Sequence, residues 1–574
     1  MKRLLIIALL LPIISSASEN APKDVENYET GISRLVGIIK NPNSSHASNR
    51  YHDPIYLAET VNLSNDLNLA EIANFIGTKT LIGKTFVEEA LAHPLNKQAQ
   101  DTLLASRQHA IKTLVDNPAL KGEVELLLEQ AKEAEQEVIK LMSDYFKGKT
   151  CPELAQLEAI KTSQPVMHTI FNYLQTNSVP KTILTAMNIL GVVGCTYGAI
   201  QVGTAAYQLA QMGIYNTRLI ASSLYLGLVT GLSGYTNYKD YSTALEKREK
   251  MHALYTLINI AEKIDAVCKL HGIKSQFSIQ DIQDTQARAV INKLKNPRYK
   301  HKKSYFFLPP MVHTLLYRLY QEDYQLASIF TAIAELDAYN ALASKIVASP
   351  YSDNKFCFVN FLDAQKSEVQ TEKFWNVLVK NPVVNSITET KHILLTGPNK
   401  GGKSTSIKAI LQNIVLGQSF GVAAAEKFDF TMFDVIHSYL NVSDDLINGL
   451  SLFAAELKRA QEIVTMVKSL QKTDRKFFFT LDELFTGTVA EDGEKCAYEF
   501  VNKLATFDNI MFIYATHFGK LKEVGLKNTN CTNYKVNAPT KNEFGLLVYP
   551  FTLSKGASTV NVAMDLARES GLFD

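Results

Sequence analysis

Short, unbroken apolar runs punctuate the last two hundred residues: Ile393–Leu395, Phe477–Leu481 and Ile510–Ala515. Each is strand length and ends on polar residues, which reads as strands buried in a sheet. Between them the apolar positions change to helical spacing, with Ile407, Ile410, Leu411 and Ile414 in one stretch and Leu452 to Val464 in another. Strand and helix alternating in this way predict an α/β domain over 370–574. Upstream, the 3.6-residue period dominates, and 66–181 and 239–369 read as an all-α region. Residues 19–65 are polar and carry no clear element.

Two apolar stretches break the pattern. In the first, Lys2-Arg3 precedes an apolar run from Leu4 to Ile14, and Ser15-Ser-Ala17 follows. That is the layout of a targeting leader over 1–18, too short to span a bilayer; a fortuitous apolar start on a cytosolic chain is the other reading. The second is 182–238. Thr182 to Thr217 and Leu219 to Tyr238 contain no Asp, Glu, Lys or Arg. Glycines recur through both halves at spacings that suit close helix packing in lipid. The stretch predicts a two-helix transmembrane hairpin inserted in the helical region; Asn188, Gln201, Gln208 and Gln211 also fit a buried soluble hairpin.

The candidate chemistry sits at the strand ends. After Ile393–Leu395 comes Gly397-Pro398-Asn399-Lys400-Gly401-Gly402-Lys403-Ser404-Thr405, which fits G-x-x-x-x-G-K-[ST] without a mismatch. Strand, glycine-rich loop and helix are in the order a phosphate cradle needs. The glycines let backbone N–H groups face phosphate oxygens, and the helix N-terminus adds partial positive charge. In that geometry Lys403 reaches the β- and γ-phosphates of ATP and the Ser404 hydroxyl meets Mg²⁺. The second strand ends on Asp482-Glu483. Asp482 is placed to hold the metal shell, and Glu483 to orient or deprotonate an attacking water. The third ends on Thr516-His517, and His517 is a candidate for contact with the γ-phosphate or the water.

Four blocks in this order carry a resemblance: Gly397 to Thr405, Ser443 to Glu456, Leu481 to Gly493, and Ala515 to Phe518. Together they resemble the ATPase domain of the MutS proteins, a branch of the ABC-type ATPases. The resemblance implies a P-loop α/β ATPase domain behind a helical core and lever region. It also implies a homodimer in which Ser451, from a signature segment, closes the partner subunit's site in trans. The local reading of Ser451 as a helix N-cap stays open beside it. Gly417 to Lys427 looks like the segment joining the first helix to the next strand, and Thr486 to Gly493 like a loop running between the two sites. Lys400, Leu452 and Val489-Ala490 depart from the residues usual in the family; none of these departures removes a phosphate or metal ligand. Upstream, Gly83 to Leu95 and Leu104 to Ile111 resemble the start of the MutS core. Phe86-Val87-Glu88 spells the mismatch-reading F-x-E there, but inside a core helix, where it reads as packing.

Composition narrows the function. Net charge is +2 with 20% charged residues, so no global basic signature for nucleic acid exists. Lys295 to Lys303 is a local basic run that suits phosphates, anionic lipid or a solvated loop. The six cysteines are scattered with no C-x-x-C pair, which fits reduced thiols. DNA binding follows from the resemblance alone. The competing readings are a membrane-anchored ATP-driven machine without a DNA substrate, and a scaffold that binds ATP and turns it over slowly. ATP chemistry and reduced thiols favour a cytoplasmic ATPase domain on a membrane-associated chain, with a soluble cytoplasmic chain as the alternative.

Overall fold

The computed structural model describes residues 57–145, 251–274, 291–292, 327–388, 391–440, 452–470, 473–543, 546–560 and 562–570. The leader 1–18, the uncharged stretch 182–238, the basic run 295–303 and Ser451 lie outside the described residues. Among the described residues no helix is long and apolar enough to cross a membrane. Those residues fall into two compact units, one within Glu129–Lys263 and Phe277–Phe330, the other within Ser48–Leu128, Ile264–Gln276 and Thr331–Asp574. The described part of the first unit is helical, with Leu254, Leu257, Ile258 and Ala261 buried at the spacing of one helix face.

The second unit starts with a strand that the polar composition of 19–65 hides. Strand β1 (Glu59–Val61) pairs with an edge of the main sheet, and α1 (Leu63–Leu67) and α2 (Leu69–Ile76) follow at once. Three residues are too few for a period to show. Helix α3 (Leu81–Ala92) begins where Thr80 accepts a hydrogen bond from Gly83 N, the role of an N-cap. A π-turn over Gln100–Leu104 leads into α4 (Ala105–Asp116). Helices α5 (Pro118–Tyr145), up to Leu128, and α6 (Ala327–Ala348), from Thr331 on, complete the helical part of this unit. Asp337 of α6 is fully buried and accepts from Lys79 N, Thr80 N and Thr80 Oγ1, which pins the start of α3. Phe86 is buried against Phe420, so Phe86-Val87-Glu88 is core packing.

Strands β2 (Cys357–Phe358), β3 (Asn360–Phe361), β4 (Val369–Phe374) and β5 (Asn385–Ile387) lead into β6 (His392–Thr396) and the long helix α7 (Lys403–Phe420). Then come β7 (Val422–Ala423), β8 (Lys427–Phe430), β9 (Val435–Tyr439), α8 (Leu452–Leu470) and β10 (Phe477–Asp482). Helix α9 (Ala490–Leu504), β11 (Ile510–Thr516), α10 (Leu521–Lys527) and β12 (Cys531–Val536) follow. A short hairpin of β13 (Thr540–Lys541) and β14 (Leu547–Val548), then β15 (Leu553–Lys555) and α11 (Ala563–Glu569), close the described chain.

The main sheet has the order β1-β9-β10-β11-β6-β12-β15. All its pairs are parallel except β12 with β15. A four-stranded sheet, β3-β8-β4-β5, and the pair β2-β7 stand beside it. Every residue of β6, β9 and β11 is buried, which is why Ile393–Leu395 and Ile510–Ala515 read as apolar runs, while β9 buries His437 and Ser438 as well. The register sets Asp482 opposite Ala515 and Thr396 opposite Thr516. Strand β11 therefore lies between β6 and β10, and all three deliver their C-terminal residues to one edge.

Helix α7 runs further than its sequence suggests. Gly417 was expected in a joining segment, yet it sits inside the helix, where Phe430 packs so closely that a Cβ would come within 2.8 Å of its ring. Gly421, with φ +73°, ends the helix in the left-handed conformation, its N–H donating to Gly417 O at 2.8 Å. The polar residues near this end are buried and satisfied by neighbouring backbone. Gln418 Nε2 donates to Leu95 O and Phe433 O, and its Oε1 accepts from Phe433 N. Ser419 Oγ donates to Ala90 O at 2.6 Å, and Arg107 of α4 donates to Ser419 O.

Candidate functional site

The site forms at the C-terminal edge of the parallel strands. The turn from β6 into α7 must reverse sharply, and Gly402 does so with φ +96°. Lys400, the residue that departs from the usual one, also has a left-handed φ of +61°. Such backbone is uncommon for a side-chain-bearing residue and persists only where its surroundings hold it. A Cβ on Gly397 would come 2.9 Å from Val536, and one on Gly401 3.0 Å from Pro398 O, so the loop is packed too closely for side chains there. Asn399, Lys400, Ser404 and Thr405 are exposed, while Pro398 is buried beneath them.

Lys403 is buried, 5% exposed, and its Nζ points back into the loop. It donates to Gly397 O at 3.2 Å and approaches Pro398 O at 3.5 Å. Burial pushes the Lys403 ammonium down from its ordinary value, and that outweighs the opposing pull of Glu483 and Asp482. Glu483 Oε1 lies 3.6 Å from Lys403 Nζ and 2.6 Å from His517 Nε2, and the His517 and Lys403 nitrogens are 3.1 Å apart. The hydrogen bond from His517 holds the Glu483 carboxyl below the usual carboxylate range. Ser404 Oγ donates to Asp482 Oδ2 at 2.5 Å. Burial pushes the Asp482 carboxyl up.

The three strand ends thus bring Lys403, Ser404, Asp482, Glu483 and His517 into one cluster, as the strand-end reading expects. Asp482 Oδ1 is buried and has no hydrogen-bond partner. A buried carboxylate oxygen left open beside a serine hydroxyl fits a hard divalent cation, which takes oxygen ligands and relieves that desolvation. Among the described residues no group of three or more His, Cys, Asp or Glu has the layout of a metal cage. A site with two protein oxygens suits Mg²⁺, which keeps waters and phosphate oxygens in its shell.

Phe551 was not singled out in the sequence. It lies over Gly402, where an added Cβ would meet its ring at 3.1 Å, is 44% exposed, and stacks on Tyr549 at 5.9 Å. Only the fold brings it to the loop, from about 150 residues downstream. Glu483 and Phe485 have φ of +51° and +72°. The irregular backbone is therefore concentrated on both sides of the cluster.

Residues 393–573 match the family model described as MutS domain V. The DNA mismatch repair protein MutS of Streptococcus pyogenes serotype M18 (strain MGAS8232) is 25% identical over 252 residues, which are 43% of this chain and 28% of that protein. The protein of the same name from serotype M5 (strain Manfredo) is 27% identical over 197 residues, 34% of this chain and 22% of that protein. The chain spans less than a third of the length of these curated relatives. Its C-terminal third, from β6 to the end of the described chain, is similar to MutS domain V.

Proposed function

We propose that the second unit binds ATP with Mg²⁺ at Gly397–Thr405 and hydrolyses its γ-phosphate. The observation that carries this reading is the convergence of Lys403, the Ser404–Asp482 pair and the Glu483–His517 pair at one sheet edge. The N–H groups of the loop and the first turn of α7 hold phosphate oxygens, and Lys403 neutralises their charge. Ser404 and Asp482 hold Mg²⁺, which supplies charge neutralisation at the transferred phosphate when bound. Glu483, whose carboxyl the His517 hydrogen bond holds below the usual range, accepts a proton from the attacking water. His517 orients Glu483 and stands within reach of the γ-phosphate. Phe551, exposed at the rim, offers a ring face to the nucleobase.

A phosphate loop covers one side of ATP. We assign the other side to Ser451 of a second copy of this chain, so that two sites form in a homodimer and hydrolysis switches the helical segments. The relatives are DNA mismatch repair proteins by name, and on that likeness we assign DNA binding to this chain. The buried Phe86 does not supply a mismatch-reading wedge, so a branched or unpaired structure is as fitting a ligand as a mismatch.

Titrating a fluorescent ATP analogue with and without Mg²⁺ tests the nucleotide site. Magnesium-dependent saturation is expected, and no saturation would contradict it. Filter binding of duplex, mismatched and branched DNA at stated salt tests the second ligand. Retention that falls with rising salt is expected, and none at low salt would remove DNA from the account.

A further inference from the structure

We infer that Glu456 is a positioning residue for Glu483, acting through the turn that follows β10; this rests on the hydrolytic reading of Glu483 above. Glu456 lies in the first turns of α8 and is 1% exposed. Its Oε1 accepts from Thr486 N at 3.1 Å and from Thr486 Oγ1 at 3.4 Å, and its Oε2 accepts from Gly487 N at 3.1 Å. Burying an acid is costly unless its oxygens are satisfied. These donors all belong to the turn, so α8 and the turn are held as one piece.

The turn needs holding. Glu483 and Phe485 both sit at positive φ, a conformation unfavourable for a side-chain-bearing residue. Its first half is tied to β11: Glu483 N donates to Ala515 O at 3.0 Å, and Tyr514 OH to Leu484 O at 2.9 Å. In its middle, Gly493 approaches so closely that a Cβ would come 2.2 Å from Phe485 O. Its second half is tied to Glu456. On that side the turn presses on the α8 backbone, since a Cβ on Gly487 would lie 2.7 Å from Phe453 N. Release of Thr486 and Gly487 lets the left-handed residues relax, and the Glu483 carboxylate then leaves His517 and Lys403. The phosphate loop contains none of these contacts, so nucleotide binding is spared. Glu456 also follows Ser451 by five residues in sequence. A shift of the first turn of α8 is therefore passed directly to the turn bearing Glu483.

The test uses the full chain. Glu456→Gln keeps the size of the side chain and one carbonyl oxygen, and turns an amide N–H₂ toward one backbone N–H. The expected result is a kcat about 10- to 100-fold lower, with ATP affinity within about twofold of the unsubstituted protein, the scale of a catalytic group misplaced by about 1 Å. Gly487→Ala, which parts the turn from α8 from the other side, is expected to show the same split. In single-turnover measurements, adding Glu456→Gln to Glu483→Gln is expected to cause no further loss, because the first acts only through the second. Unchanged kcat in Glu456→Gln, a parallel loss of affinity and kcat, or a multiplicative loss in the double variant overturns the inference and leaves the hydrolytic reading standing. Unchanged turnover in Glu483→Gln alone overturns that reading and the inference with it.

Discussion

The two ends of helix α7 are built on opposite principles. At its N-terminal end the backbone is left-handed at Lys400 and Gly402, Ser404 and Thr405 are exposed, and Lys403 is shared among loop carbonyls, Glu483 and His517 at 3.1–3.6 Å. At its C-terminal end Gln418 and Ser419 are buried, Gln418 bonded to the backbone of Leu95 and Phe433 and Ser419 to that of Ala90, at 2.6–2.9 Å. Arg107 lies there with its guanidinium 5.9 Å from the Phe86 ring centroid and 5.7 Å from that of Phe420, while Gln108 Nε2 donates to Gly421 O at 3.0 Å. One end keeps polar groups open for a ligand. The other bonds Gln418 and Ser419 to the backbone around it, with Ser419 tied to α3 and α4.

The largest expected effect lies at the fixed end. Arg107→Ala removes a buried cation, its hydrogen bond to the helix terminus and its cation–π contacts with Phe86 and Phe420. A loss of about 4 kcal/mol in unfolding free energy is expected from a urea titration. A loss under about 1 kcal/mol would mean that the C-terminal end is not the anchor. At the open end, Lys403→Ala is expected to weaken ATP binding on the order of 100-fold, the loss of a charge-assisted contact worth about 3 kcal/mol, with little change in the urea midpoint. The reverse pattern, a stability loss without a binding loss, would invert the comparison.

The sheet beneath α7 adds an acid-sensitive element. Burial holds His392, stacked on Phe512, and His437, between Tyr439 and Phe479, at about 4, below the ordinary 6.5. Neither His437 ring nitrogen has a hydrogen-bond partner. As pH falls, the unfolded chain takes up these protons first. The stability is therefore whole above about pH 6.5 and declines down to about pH 4, by about 3 kcal/mol for each histidine. His437→Phe is expected to flatten the fall of melting temperature over that window by about half; an unchanged slope would exclude His437 as its source. The smallest effect is that of Ser419→Ala, about 1 kcal/mol in the same urea titration, since it removes one buried hydrogen bond. A loss equal to that of Arg107→Ala would make the serine, and not the arginine, the centre of the anchor.

These two ends were not equally legible in the sequence. The open end follows from a local pattern: a strand, glycines at set spacing, a lysine and a hydroxyl, with acids ending a second apolar run. Each part is read within about ten residues, and the strand order then brings the parts together. The fixed end depends on contacts between residues about 300 positions apart, such as Arg107 with Ser419. Gln418 and Ser419 are residue types that suit a connecting loop, and only their burial shows otherwise. Phe551 and Glu456 were missed for the same reason. A lone aromatic or a helix glutamate has no pattern of its own until the fold gives it a neighbour. Strand β1 was missed because three residues carry no period.

The most direct test of the open end as a hydrolytic site is single-turnover hydrolysis of ATP by the full chain and by Glu483→Gln, each with its equilibrium ATP affinity measured in Mg²⁺. The expected result is magnesium-dependent phosphate release by the unsubstituted protein and release at least about 100-fold slower in Glu483→Gln, at matched affinity. Equal rates in the two proteins would contradict it.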